Sequence, residues 1–159
     1  MKITIITVGK IKETYIQLGI EEFSKRLSRY CKLALIEVVE QSIPDVISAR
    51  QIELLIAKEG SHIMKKIKEN MYVIVLDLQG ETNTSEQFAK KLDNLSINGV
   101  SHIAFIIGGS LGLASEVKKR ANIILCFSKM TFPHQLFKLI LLEQIYRSYR
   151  INRNEPYHK

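Results

Sequence analysis

Cysteine is scarce in this chain: Cys31 and Cys126 are the only two in 159 residues, and neither sits in a C-x-x-C or Cys/His ligand spacing. Neither a disulfide framework nor a zinc site is indicated. Long apolar runs are missing as well. The opening Met1-Lys2-Ile3-Thr4-Ile5-Ile6 is too short for a signal peptide, and nothing approaches the ~18 apolar residues of a membrane span. The expectation is a soluble protein that stays in a reducing cytoplasm, with neither a membrane nor a metal as partner. Also absent are a Ser/His/Asp order, an H-E-x-x-H pair and a carboxylate cluster, which leaves hydrolase and metalloenzyme readings nothing specific to stand on. Negative charge is the minority sign: sixteen Asp and Glu face twenty-three Lys and Arg, for a net charge of +7. A surplus of that size either concentrates a polyanion such as nucleic acid or serves solubility alone. Its distribution favours the first, because Lys129 to Lys159 carries six basic residues against two acidic ones.

What is present is a globular composition, 46% apolar and 25% charged, long enough to bury a real core. Short β-branched runs at Lys2–Val8, Leu33–Val39, Tyr72–Leu78, His102–Ile107 and Asn122–Cys126 predict five strands. Helical spacing links Ile16, Ile20, Phe23 and Leu27, and again Ile52, Ile56, Ile63 and Ile67. Thr84-x-x-Gln87 is a capping-box signature opening a third helix, Leu113–Arg120 suggests a short fourth, and the fifth starts at Pro133 and runs towards Arg150. Strand and helix alternate throughout, which predicts one α/β domain over residues 1–159, with a mostly parallel sheet and helices on both faces.

In such sheets ligands bind beyond the carboxyl ends of the strands. Three segments qualify: Gln79-Gly80, Gly108-Gly109-Ser110-Leu111-Gly112, and Phe127 to Phe132. The glycine loop lacks the Lys-Ser/Thr ending of a P-loop and is not G-x-G-x-x-G, so it is either a tight βα turn or a place where a ligand approaches the backbone. Phe127 and Phe132 either sandwich a flat ring such as adenine or anchor the core. The helix from His134 to Arg150 is apolar on more than one face, which implies either a second subunit across a two-fold axis or a central buried helix. Glu143 and Arg147 stand in the favourable i,i+4 order, which helix stabilisation alone explains equally well. The tail from Arg150 to Lys159 mixes cations with Tyr157 and His158, a composition suited to phosphate contact and base stacking, although chain ends commonly fray. His134 and His158 are proton-transfer candidates or simply structural.

Taken together, Phe105-Ile106-Ile107-Gly108-Gly109-Ser110-x-Gly112-Leu113, Leu125-x-Phe127-Ser128-Lys129-Met130-Thr131-Phe132-Pro133-His134-Gln135, Glu143-Gln144-x-Tyr146-Arg147 and Pro156-Tyr157-His158 resemble the RlmH family of the SPOUT class. Met1-Lys2-Ile3, Val8-Gly9-Lys10 and the overall length match as well, while Glu81 and Leu111 depart from the family's usual residues. The resemblance implies a sheet whose C-terminal part is threaded into a trefoil knot, an exception to unknotted topology. It implies a homodimer that binds S-adenosyl-L-methionine through Leu76, Gly108, Gly109, Phe127, Ser128, Lys129, Met130, Thr131 and Phe132. The implied reaction methylates N3 of a pseudouridine in large-subunit ribosomal RNA within the assembled ribosome. His158, Tyr157 and Arg153 are then the catalytic candidates, and Arg147, Arg150 and His134 the RNA-binding ones. The alternative is a non-catalytic RNA-binding module on the same scaffold, which would associate with the ribosome and ignore the methyl donor.

Overall fold

Each strand predicted above alternates side chains between two faces, so apolar residues at successive positions need cover on both sides. The computed structural model describes residues 1–158 and supplies that cover; Lys159 of the basic tail lies outside the described residues. Strands and helices alternate as β1 Lys2–Val8, α1 Thr14–Leu27, β2 Lys32–Val38, α2 Ala49–Met64, β3 Tyr72–Thr82, α3 Ser85–Ile97, β4 His102–Ile107, α4 Ser115–Arg120, β5 Ile123–Cys126 and α5 His134–Asn152. The five strands form one sheet in the order β2-β1-β4-β3-β5, and every pair is parallel. On one face Ile3, Ile5, Ile74, Ile103 and Phe105 pack against α1, α3 and α5 through residues such as Ile16, Phe88 and Leu141. On the other, Ile6, Val8, Val73, Val75 and Ile106 meet Ile63 of α2 and Val117 of α4. β4 is buried at all six positions, as a central parallel strand with helices on both faces must be.

Local chemistry sets the boundaries. Thr84 accepts the Gln87 N–H while the Gln87 side chain accepts the Thr84 N–H, so both halves of the expected capping box are made. Ser48 and Gln51 form a second box at the end of the loop that precedes α2. Helix α2 stops at Met64, short of Ile67, and α4 begins at Ser115 rather than Leu113, because Leu113 is drawn into the glycine loop. Pro133 is the N-cap of α5, one position before the first helical residue.

The main departure concerns Gln79-Gly80, which is not a turn after β3. β3 continues to Thr82, with its register against β5 shifted so that Leu76 and Glu81 both oppose Leu125. Gly80 sits where this excursion crosses β5. A β-carbon there would stand 2.5 Å from the Leu125 carbonyl carbon and 2.7 Å from that of Ile124, so only glycine lets the two backbones come this close.

Helix α5 lies between α1 and α3 on the sheet. Its apolar excess is therefore used on several sides within the chain, with Leu141, Leu142, Ile145 and Tyr146 buried. Leu136, Ile140, Glu143 and Arg147 follow one another along a face that is only partly covered.

Candidate functional site

The carboxyl ends of β3, β4 and β5 gather at one edge of the sheet, and their loops enclose a cavity of about 360 Å³. Leu76, Ile107 and Leu125 line it from the strand ends, Gly108, Gly109 and Gly112 from the glycine loop, and His134 and Phe137 from α5. The loop after β5 adds Phe127, Ser128, Met130, Thr131 and Phe132. Of the nine positions expected to hold a methyl donor, Lys129 alone is not part of this wall.

Both readings of the glycine loop hold at once. Gly109 and Gly112 bridge each other, the Gly112 N–H donates to the Gly109 carbonyl at 3.1 Å, and Gly112 has φ +87°, so the segment is a tight turn. The same turn lines the cavity. Phe127 and Phe132, by contrast, do not face each other across an empty slot. Phe137 stands against both, with ring centroids 5.6 Å from Phe127 and 6.3 Å from Phe132, and Phe127 also meets Phe88 edge-on at 5.4 Å. Core anchoring describes Phe127, whereas Phe132 is 36% exposed and free to meet a ligand. The Met130 N–H donates to Ser128 Oγ at 3.0 Å, which turns the loop back on itself.

Asp77 and Lys118, which the sequence reading passed over, also line the cavity as an ion pair of 2.6 Å. Asp77 lies at a strand's carboxyl end, where such sheets place ligand contacts, so its position was a usable signal; Lys118 comes from α4, and only folding brings it there.

Behind the glycine loop, on the α2 side, Glu59 is buried. Its Oε1 accepts the Gln41 N–H at 2.8 Å, while Oε2 has no protein partner. His134 Nε2 is also buried and unpartnered, close to Gly9. Burial pushes the Glu59 carboxyl above its ordinary value of 4.5, partly opposed by the Gln41 N–H. A carboxyl raised in this way binds its proton more tightly in the folded state, so its contribution favours folding at acid pH and turns unfavourable as pH rises past the ordinary carboxylate range. Glu59→Gln keeps the bond to Gln41 and is expected to stabilise the protein at neutral pH by roughly 1 kcal/mol. The gain should vanish below about pH 4, which thermal melts across a pH series would read out.

The C-terminal tail forms a network beside this site. Arg147 Nη2 lies 2.5 Å from Glu143 Oε1, and the Tyr157 hydroxyl donates to the same oxygen at 3.0 Å. The Arg147 guanidinium stacks over the Tyr157 ring at 4.8 Å and meets His158 Nδ1 at 3.2 Å. His158 Nε2 lies 2.6 Å from Glu86 Oε1. The Glu86 carboxyl, bonded by its own N–H, by Thr84 and by His158, is held down at about 2. Burial and the bond to Glu143 raise the Tyr157 phenol. Arg153 is placed elsewhere, over the Tyr30 ring at 4.7 Å, and Arg150 pairs with Glu155 at 2.8 Å. The structure thus joins Tyr157, His158 and Arg147 and separates Arg153 from them.

A second hollow of about 220 Å³ lies between the two regions, lined by Phe127, Phe132 and Phe137 on the cavity side and by Ser85 and Gln144 on the tail side. Ser85 Oγ donates to Gln144 Oε1 at 2.9 Å, and Gln144 Nε2 donates to Glu143 at 2.8 Å. Among the described residues no group of three or more His, Cys, Asp and Glu is placed to hold a metal, and no helix is long and apolar enough to cross a membrane.

A family model described as "Predicted SPOUT methyltransferase" matches residues 1–158. Relatives named ribosomal RNA large subunit methyltransferase H match over 100% of this chain and of their own: that of Clostridium beijerinckii is 60% identical, and those of Clostridium kluyveri and Clostridium tetani are 58% identical. A solved structure of a probable methylase family protein from Haemophilus influenzae is similar with a TM-score of 0.56. It covers 99% of this chain and 70% of its own at 14% identity, a likeness of fold alone.

Proposed function

The chain belongs to the SPOUT methyltransferase family, and from that premise we propose that it uses S-adenosyl-L-methionine to methylate large-subunit ribosomal RNA, at N3 of a pseudouridine, on the assembled ribosome in the cytoplasm. The observation that carries this reading is the cavity between the βα loops, walled by eight of the nine expected donor positions and flanked by the His158–Tyr157 tail. The names of the full-length relatives support the RNA substrate. The knotted threading of the C-terminal part rests on the family match. A homodimer is supported by the partly covered face of α5 and by Tyr15 and Leu18 of α1, which are 65% and 60% exposed.

The residues present fit the donor. Gly108 has no room for a side chain, since a β-carbon would lie 2.8 Å from Leu113 Cγ and 3.0 Å from the Gly112 carbonyl oxygen, and so the loop keeps its backbone at the cavity wall. Phe132 and Met130 offer apolar surface, and the loop backbone offers polar groups to an adenine edge. When bound, the donor supplies an electrophilic methyl group on a sulfonium. The chain's own part is positioning and proton handling. The hollow beside Gln144 receives the acceptor ring, and holding the two reactants together supplies much of the acceleration. His158 takes the N3 proton as the nitrogen becomes nucleophilic, and Arg147, with Tyr157, balances the charge that develops. For this, RNA must displace Glu86 from His158, or the tail must act on the other subunit's site. Arg147 and Arg150 meet RNA at the rim, although both arginines are engaged by Glu143 and Glu155 in the free chain, whereas His134, expected to join them, lines the donor cavity with its Nε2 buried. That engagement lowers their capacity for phosphate until RNA competes for them.

Gly108→Ala is expected to weaken S-adenosyl-L-methionine binding at least about tenfold in calorimetric titration, by pushing Leu113 and the turn into the cavity. Mass spectrometry of ribosomal RNA from cells with and without the gene tests the reaction itself. Loss of one methyl group from a large-subunit pseudouridine is expected, and identical modification profiles would contradict it.

A further inference from the structure

The main cavity is walled largely by apolar and aromatic groups, yet two fully charged side chains line it, Asp77 at the end of β3's first segment and Lys118 in α4. Lys118 Nζ lies 2.6 Å from Asp77 Oδ2, with the side chains 30% and 14% exposed. The Gln79 N–H donates to Asp77 Oδ1 at 2.9 Å. Burial alone would push the Asp77 carboxyl up, but Lys118 and the Gln79 N–H outweigh it and hold the group below the ordinary carboxylate range, so it is ionised at neutral pH.

Drawing such a pair out of water costs desolvation that mutual attraction only partly returns, so its presence at a cavity wall calls for a partner. Neither group is saturated. An ammonium has three donors and a carboxylate about four lone-pair sites, and each spends only part of that capacity within the pair. The remaining capacity is complementary to a molecule that carries an ammonium and a carboxylate on one carbon.

Resting on the donor reading above, we propose that the Asp77–Lys118 pair recognises the α-amino acid end of the methyl donor, Asp77 accepting from its ammonium and Lys118 donating to its carboxylate. The four charges then alternate in sign, and none is left unpaired when the site excludes water. The adenine end lies at the opposite wall, against Phe132 and the loop after β5. Without ligand, the two side chains neutralise each other and keep the wall folded.

The test is calorimetric titration of the full chain with S-adenosylhomocysteine and with 5′-methylthioadenosine, which share the nucleoside and sulfur but differ in the amino acid. The natural chain is expected to prefer S-adenosylhomocysteine by at least about tenfold. The charge-neutral double variant Asp77→Asn/Lys118→Met keeps both shapes and should cut that preference to about twofold or less while leaving 5′-methylthioadenosine affinity unchanged. That retained affinity also reports an intact cavity. Should the double variant fail to fold, Lys118→Gln gives the same readout through the carboxylate alone. A preference that survives the substitutions overturns the proposal, as does equal loss of both ligands. A natural chain that binds neither thioether contradicts the donor reading itself, which keeps the two failures distinct.

Discussion

Gly80→Ala is expected to cost about 3 kcal/mol of stability, the upper end for overpacking, and to lower the melting temperature on the order of 10 °C. The clash is backbone against backbone. The new methyl would sit 2.5 Å from the Leu125 carbonyl carbon and 2.7 Å from the Ile124 carbonyl oxygen, atoms fixed by the β3–β5 pairing, so no rotamer change relieves it. Gly19→Ala is the control. There the nearest atom, at 2.8 Å, is the tip of the Leu139 side chain, which can turn away, and alanine also suits a helix interior better than glycine. Thermal unfolding followed by circular dichroism should therefore separate the two variants widely. Similar melting temperatures would mean that β5 does not pass beneath Gly80.

His158→Ala is expected to lower turnover about 10²- to 10⁴-fold, the range for losing a general acid–base group, while donor affinity stays within about twofold. The asymmetry follows from placement. His158 is bound to Glu86 and Arg147, beyond the aromatic wall, and does not line the donor cavity. Single-turnover kinetics on ribosomes together with calorimetry would read both quantities. Unchanged turnover would remove His158 from the mechanism, and a parallel loss of donor binding would recast it as a residue that shapes the cavity.

Much of this architecture was legible from side-chain pattern. β1 and β4 fall at the predicted residues because their β-branched runs end abruptly in glycine, at Gly9 and Gly108. Thr84 and Gln87 announced α3 through a reciprocal bond that needs only local backbone. What stayed hidden depends on contacts remote in sequence. The continuation of β3 through Gly80 is dictated by β5, more than forty residues later, and reads locally as a turn. Phe137 stands against both Phe127 and Phe132 because the start of α5 folds back over the loop, a contact that two aromatics flanking polar residues do not announce. Arg153 is near His158 in the chain but leaves with the last turn of α5 towards Tyr30. The strand-end rule pointed to the glycine loop and to Phe127–Phe132, family resemblance completed the set of expected donor positions, and the cavity unites all of them except Lys129. Asp77 and Lys118 belong to no contiguous motif, and a fold was needed to bring them within 2.6 Å.

Central to the enzymatic reading is a methyl donor seated in the cavity between the loops after β4 and β5. A crystal structure of the chain soaked with S-adenosylhomocysteine decides it. Density for the nucleoside between Gly108 and the Phe127–Phe132 loop is the predicted result, whereas a cavity without ligand, with Met130 and Phe132 folded into it, would contradict the enzymatic reading.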